Sequence, residues 1–77
     1  MISIKILVVW NSTQYDVDDI ERELLELDFY SLSVIRTAKD GNASGAIFRA
    51  LFYPSNVSKA EIRNALKDIT QDIKIIE

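Results

Sequence analysis

The sequence predicts one small α+β domain, a two-layer sandwich in which two helices lie against a four-stranded antiparallel sheet. Three observations carry that expectation. Hydrophobic spacing switches between two residues and three-to-four residues, in the order strand, helix, strand, strand, helix, strand. Turn-forming residues fall where the spacing changes. A chain of 77 residues supports one core and leaves no room for a second domain, so residues 1–77 are read as a single unit.

Residues 2–10 alternate, with Ile2, Ile4, Ile6, Val8 and Trp10 on one face and Ser3, Lys5, Leu7 and Val9 on the other. Period two with many β-branched residues marks a strand. Asn11-Ser12-Thr13-Gln14 breaks it. From Asp16 the spacing becomes helical, since Val17, Ile20, Leu24 and Leu27 form a stripe that Leu25 widens. Asp16 is the expected N-cap, Asp19 takes the third helical position, and Tyr15 with Ile20 can form a hydrophobic staple. This helix should end near Asp28. Residues 29–38 return to period two. Lys39 to Gly45 holds two glycines, an asparagine and an aspartate, which predicts a hairpin loop of about six residues.

Residues 46–53 form the third strand, and Pro54 ends it because proline has no N–H for a ladder. Ser58 and Glu61 make a capping box, with Val57 and Ile62 as its staple. Ile62, Ala65, Leu66 and Ile69 supply that helix's buried face. Ile73 to Ile76 closes the chain as a fourth strand.

Each helix therefore links two strands. With right-handed crossovers this is the split βαβ, or ferredoxin-like, sandwich, with strand order 4-1-3-2 and both helices on one face. The helix-facing set is expected to be Ile4, Ile6, Val8, Tyr30, Leu32, Val34, Phe48, Ala50, Phe52, Ile73 and Ile75. The other face then holds Lys5, Leu7, Val9, Ser31, Ser33, Ile35, Thr37, Ile47, Arg49, Leu51, Tyr53, Lys74 and Ile76. Apolar side chains are frequent in that second set, so an uncovered apolar patch is expected there. Leu7, Val9, Ile35, Ile47, Arg49, Leu51 and Tyr53 are its candidate interface residues, for a homodimer or for another protein. The alternative is a solvated face kept wet by Lys5, Arg49 and Lys74.

Composition limits the chemistry. The chain has no cysteine and no histidine, so it lacks a disulfide framework, a thiolate ligand and the commonest general base. No phosphate loop, dinucleotide fingerprint or zinc motif is present, and both glycines belong to one hairpin. No catalytic set, cofactor or metal site is therefore expected. The longest apolar run, Ile6 to Trp10, is far short of the ~20 residues a membrane helix needs. Lys5 interrupts the apolar start, which is strand-like rather than a signal-peptide core. A soluble, cytoplasmic protein is the expectation, with no membrane insertion.

Charge is unevenly placed. The net charge is −3, which opposes nucleic-acid binding. Asp16 to Asp28 alone carries seven acids and one base, leaving the remainder mildly positive. Acids in the first turn offset the helix dipole, which is their ordinary role. The sharper reading makes Asp18, Glu21 and Glu23 an acidic docking strip for a basic partner.

The order of elements and the chain length resemble ACT-type regulatory domains. Leu32 to Asp40 with its following strand, the helix Ala60 to Ile69 and the strand Ile73 to Ile76 also resemble the C-terminal domain of MgtC-type membrane proteins. The ACT resemblance implies a small-ligand site in the first strand-to-helix loop, at Asn11, Ser12, Thr13 and Gln14. Where ACT domains carry a glycine, this chain has Gln14-Tyr15-Asp16-Val17. The functional expectation is a non-enzymatic regulatory or interaction module, working by homodimerisation or protein docking, with that loop as its ligand site. The alternative is a stand-alone inhibitor or adaptor, of the kind phages and mobile elements encode, using the acidic helix.

Overall fold

The computed structural model describes residues 1–77 and has the predicted element order. It comprises β1 (Ile2–Asn11), α1 (Val17–Leu25), β2 (Ser31–Asp40), β3 (Ala43–Phe52), α2 (Lys59–Leu66) and β4 (Asp72–Ile76). The strands form one sheet in the order β2-β3-β1-β4, which is the expected 4-1-3-2 order viewed from the other edge. All three neighbouring pairs are antiparallel.

Alternation along the two central strands sets the layers. Ile4, Ile6, Val8 and Trp10 of β1 and Ala46, Phe48, Ala50 and Phe52 of β3 are buried on one side of the sheet. They share a cluster with Ile20 and Leu24 of α1 and Ile62 and Leu66 of α2. Both helices therefore cover the same face. Ala46 and Ala50 keep the sheet surface low where the helices approach it.

Each helix starts in a capping box. In α1 the Asp19 N–H donates to Asp16 Oδ1 at 3.0 Å, and the Asp16 N–H donates to Asp19 Oδ2 at 3.0 Å. In α2 Ser58 and Glu61 exchange the same pair of bonds. These bonds satisfy donors that the first helical turn leaves unpaired. Helix α1 stops at Leu25, with Glu26 as its C-cap, rather than continuing to Asp28. The Leu27 N–H bonds to Leu24 O and the Phe29 N–H to Leu27 O, a tightening that turns Leu27 and Phe29 onto the core. The Phe29 ring meets Phe52 edge-on at 5.8 Å.

Three expectations need correction. Tyr30 does not join the helix-facing set: β2 starts at Ser31, with Leu32 and Val34 in the expected phase opposite Ala50 and Phe48, and Tyr30 before it is 69% exposed. The loop between β2 and β3 is two residues, Gly41 and Asn42, since Asp40 pairs with Ala43 and Lys39 with Ser44. Gly41 has φ +61°, and no other residue has a positive φ, the pattern of a type II′ turn. Ser44 and Gly45 look like loop by composition, yet β1 and β2 pair with them from both sides.

The third correction concerns β2. Its register with β3 shifts between Val34 and Arg36, so Ile35 is the extra residue of a β-bulge. Beyond it, Thr37 lies opposite buried Ala46 rather than on the open face. Arg36 and Ala38 take the open face instead.

Candidate functional site

Two surfaces emerge from this architecture, and the bulge shapes both. The first is the face of the sheet that no helix covers. Its side chains lie in rows across the strands: Ser31, Leu51, Ser3; then Ser33, Arg49, Lys5, Ile76; then Arg36, Ile47, Leu7, Lys74; then Ala38, Gly45, Val9, Asp72. Strand spacing near 4.8 Å and a two-residue step near 6.8 Å set this grid. Leu7, Ile47 and Leu51 are half-buried by their neighbours, while Val9, Ile35, Tyr53 and Ile76 are exposed.

Small residues at Ala38 and Gly45 leave a hollow of about 200 Å³ on this face, with Leu7, Val9 and Ile47 among its walls and Arg36 at its rim. A Cβ built on Gly45 would meet only the Val8 carbonyl oxygen, at 3.4 Å. The hollow is thus kept open by the absence of one side chain.

Cations stand around these apolar residues. Lys5 and Arg49 are directly opposite each other on β1 and β3, and Arg36 and Lys74 flank Ile47 and Leu7 in the next row. All four are exposed. The two ion pairs of the molecule are Arg22–Asp19 and Lys59–Glu77, so none of the four has a carboxylate partner. Asp40 and Asp72 lie toward the hairpin end of the face, while Glu77 lines a shallow hollow with Lys5, Arg49 and Ile76 at the other end, its side chain paired with Lys59.

The second surface is a groove of about 390 Å³ on the helix side, where the first loop and the start of α1 face the β2–β3 hairpin. Trp10, Tyr15, Asp16, Thr37, Lys39 and Ser44 are among its lining residues. Trp10 is packed and also walls the groove: its Nε1–H donates to Tyr15 O at 3.0 Å, fixing the loop above it. The Ser12 N–H reaches Asn42 O at 2.8 Å, tying the loop to the hairpin turn. The bulge aims Thr37 and Lys39 into this groove.

The four residues expected to form a ligand site have separate positions. Ser12 lines the groove. Asn11 Oδ1 accepts bonds from the Thr13 N–H at 2.9 Å and the Thr13 hydroxyl at 2.7 Å, so both residues are engaged in an Asx turn. Gln14 is exposed. In the acidic strip, Asp18 is exposed while Glu21 and Glu23 are half-buried. The neighbouring Asp19 carboxyl is held below its ordinary value, chiefly by the Asp16 N–H and then by Arg22. No three acidic side chains converge on a metal-sized site, and no helix is long and apolar enough to cross a membrane.

Arg36, Thr37, Ala38 and Lys39 owe their places to the bulge, and no residue type in β2 announces one. Gly45 was equally silent, because beside Ala43 and Ser44 it falls in the stretch whose composition marks the hairpin loop, and only the pairing on both sides places it in β3.

Fold and surfaces together define the class: a ferredoxin-like α+β sandwich with one open sheet face. In comparisons with known proteins, no family model, curated protein or solved structure matches the chain.

Proposed function

We propose that this chain is a non-enzymatic interaction module that associates with another protein through the uncovered face of its sheet. The observation supporting this reading is the continuity of Leu7, Val9 and Ile47 around an open hollow, with no layer of the chain above them. Apolar surface of this kind is stabilised when a partner removes it from water, by roughly 25 cal/mol per Å² buried. Self-association through the same face is the other form of the reading.

The test uses the full chain as bait, compared with Leu7→Ser and Ile47→Ser variants, and light scattering over a wide concentration range. The expected result is a protein retained by the wild type and lost from both variants, or a mass increase that both variants abolish. Retention that survives both but fails in Asp18→Lys/Glu21→Lys would overturn the reading in favour of the acidic helix. An unchanging monomer that retains no face-dependent protein would also overturn it.

A second role is supported by the groove beside Trp10. Lys39 and Asp16 bring opposite charges to it and Ser12 and Ser44 share its lining, a composition suited to a small polar ligand. Trp10 is the single tryptophan, so its fluorescence reads occupancy directly. A Lys39→Ala variant should weaken any ligand that shifts it.

A further inference from the structure

We infer that the partner of the open sheet face is an acidic protein segment. Its carboxylates sit over the Lys5–Arg49 pair and within reach of Arg36 and Lys74, and one large apolar side chain enters the hollow above Gly45. This inference rests on the docking reading and adds the chemistry of the occupant.

The cations carry the argument. Directly opposed like charges on neighbouring strands destabilise a sheet, and Lys5 and Arg49 stand in that relation with no ion pair to either; Glu77 lines a shallow hollow with both, but its side chain is paired with Lys59. An anion above the pair reverses the sign of that interaction. Arg36 and Lys74 extend the positive area along the next row, on either side of Ile47 and Leu7. A partner matching this face therefore alternates acidic and apolar groups, and its charges select it against basic surfaces.

The same geometry disfavours two other occupants. A second copy stacked face to face would set its own four cations against these. Single-stranded nucleic acid depends on aromatic side chains on which bases stack, and the rows that hold the cations contain none. Tyr53 lies beyond the end of β3.

The hollow supplies the apolar half of the match. It is open because residue 45 lacks a Cβ, and Gly45 has no positive φ that would demand glycine. A valine there suits a strand and fills the space.

The experiment is a titration of the isotope-labelled full chain, followed by amide NMR shifts, with three short peptides and an oligothymidine. The first peptide carries glutamates around one leucine, the second replaces the glutamates by lysine, and the third replaces the leucine by alanine. Only the first should shift the amides of Arg36, Gly45, Ile47 and Arg49. Its affinity should fall about tenfold or more when added salt screens the exposed charges. Lys5→Glu/Arg49→Glu should abolish binding. Gly45→Val should weaken the leucine peptide while leaving a folded spectrum.

Equal binding of the lysine peptide, tighter binding of the oligothymidine, shifts confined to α1, or no shift with any peptide would each overturn the acidic-partner inference. Dimerisation through the face in the absence of peptide would overturn it too. The bait experiment separates the two levels. A partner lost from Leu7→Ser but kept by Lys5→Glu/Arg49→Glu leaves the docking reading standing and removes the acidic chemistry. A partner indifferent to all of these variants removes both.

Discussion

Replacing Arg49 by glutamate should make the folded chain more stable, although it reverses a charge in the middle of the sheet. Lys5 and Arg49 are paired in register, and opposed Cβ atoms lie about 5 Å apart. Two like charges about 6 Å apart in water repel by about 0.7 kcal/mol. At physiological salt, screening reduces this to about 0.3 kcal/mol. Arg49→Glu turns that repulsion into attraction, a swing of about 0.7 kcal/mol, within the range seen for exposed pairs. For a domain of this size that is a rise of about 3–6 °C in melting temperature.

Thermal and urea unfolding at low and high salt provide the assay. The gain should shrink as salt rises. A cycle with Lys5→Glu isolates the pair, because the doubly reversed chain restores like charges and should lose the gain. A variant that is less stable at low salt, or a gain that salt leaves unchanged, would refute the electrostatic reasoning. The wild-type arrangement would then need some other explanation than repulsion held for a partner.

Three further perturbations test the frame around the site. Phe48 is fully buried, so Phe48→Ala should cost about 3–5 kcal/mol, read as a lower urea midpoint with an unchanged slope. Domains of this length have about 4–12 kcal/mol in total, so that loss is a large part of the whole. Gly41→Ala meets no atom within 4 Å of its new Cβ, so its loss of about 1–2 kcal/mol comes from the left-handed backbone alone, and Gly41→Asn should recover part of it. The lowered Asp19 carboxyl predicts an acid effect at the start of α1. Its folded-state value lies below the ordinary 3.8, so its contribution is complete above that value and is lost as pH falls through the lowered one. Asp19→Asn should therefore flatten the fall of melting temperature below pH ~4, and parallel curves for the two chains would count against the capping bond.

The periodicities were enough to read the six elements and their order. Period two in β1 and β3 is strict because both strands are central and one face of each is dry. The helix starts were legible because a cap is a local device: Asp16 with Asp19, and Ser58 with Glu61, each need only three residues of spacing. The hairpin was less legible because Ala43, Ser44 and Gly45 are weak strand formers that pairing on both sides holds extended. Edge strand β2 was least legible. With a single neighbour and little burial, its register depends on one extra residue, and Ile35 resembles any other strand residue. That local irregularity decided which side chains reached the open face and which reached the groove. The Lys5–Arg49 opposition, by contrast, follows from the expected pairing of β1 with β3 once the register is known.

The bulge also bears on what keeps such a sheet from growing. Edge strand β2 is ten residues long, and its outer backbone is unpaired. A straight edge of that length is a template on which another chain can add a strand, and then another. The extra residue at Ile35 puts the donors and acceptors on either side of it out of step, so an incoming strand can match one half at a time. Arg36 and Lys39 place charge along the far half, and the opposite edge offers only the five residues of β4. The irregularity that shapes the recognition face thus also acts as a brake on fibre formation, so a chain with β2 straightened would keep its core and lose its resistance to aggregation.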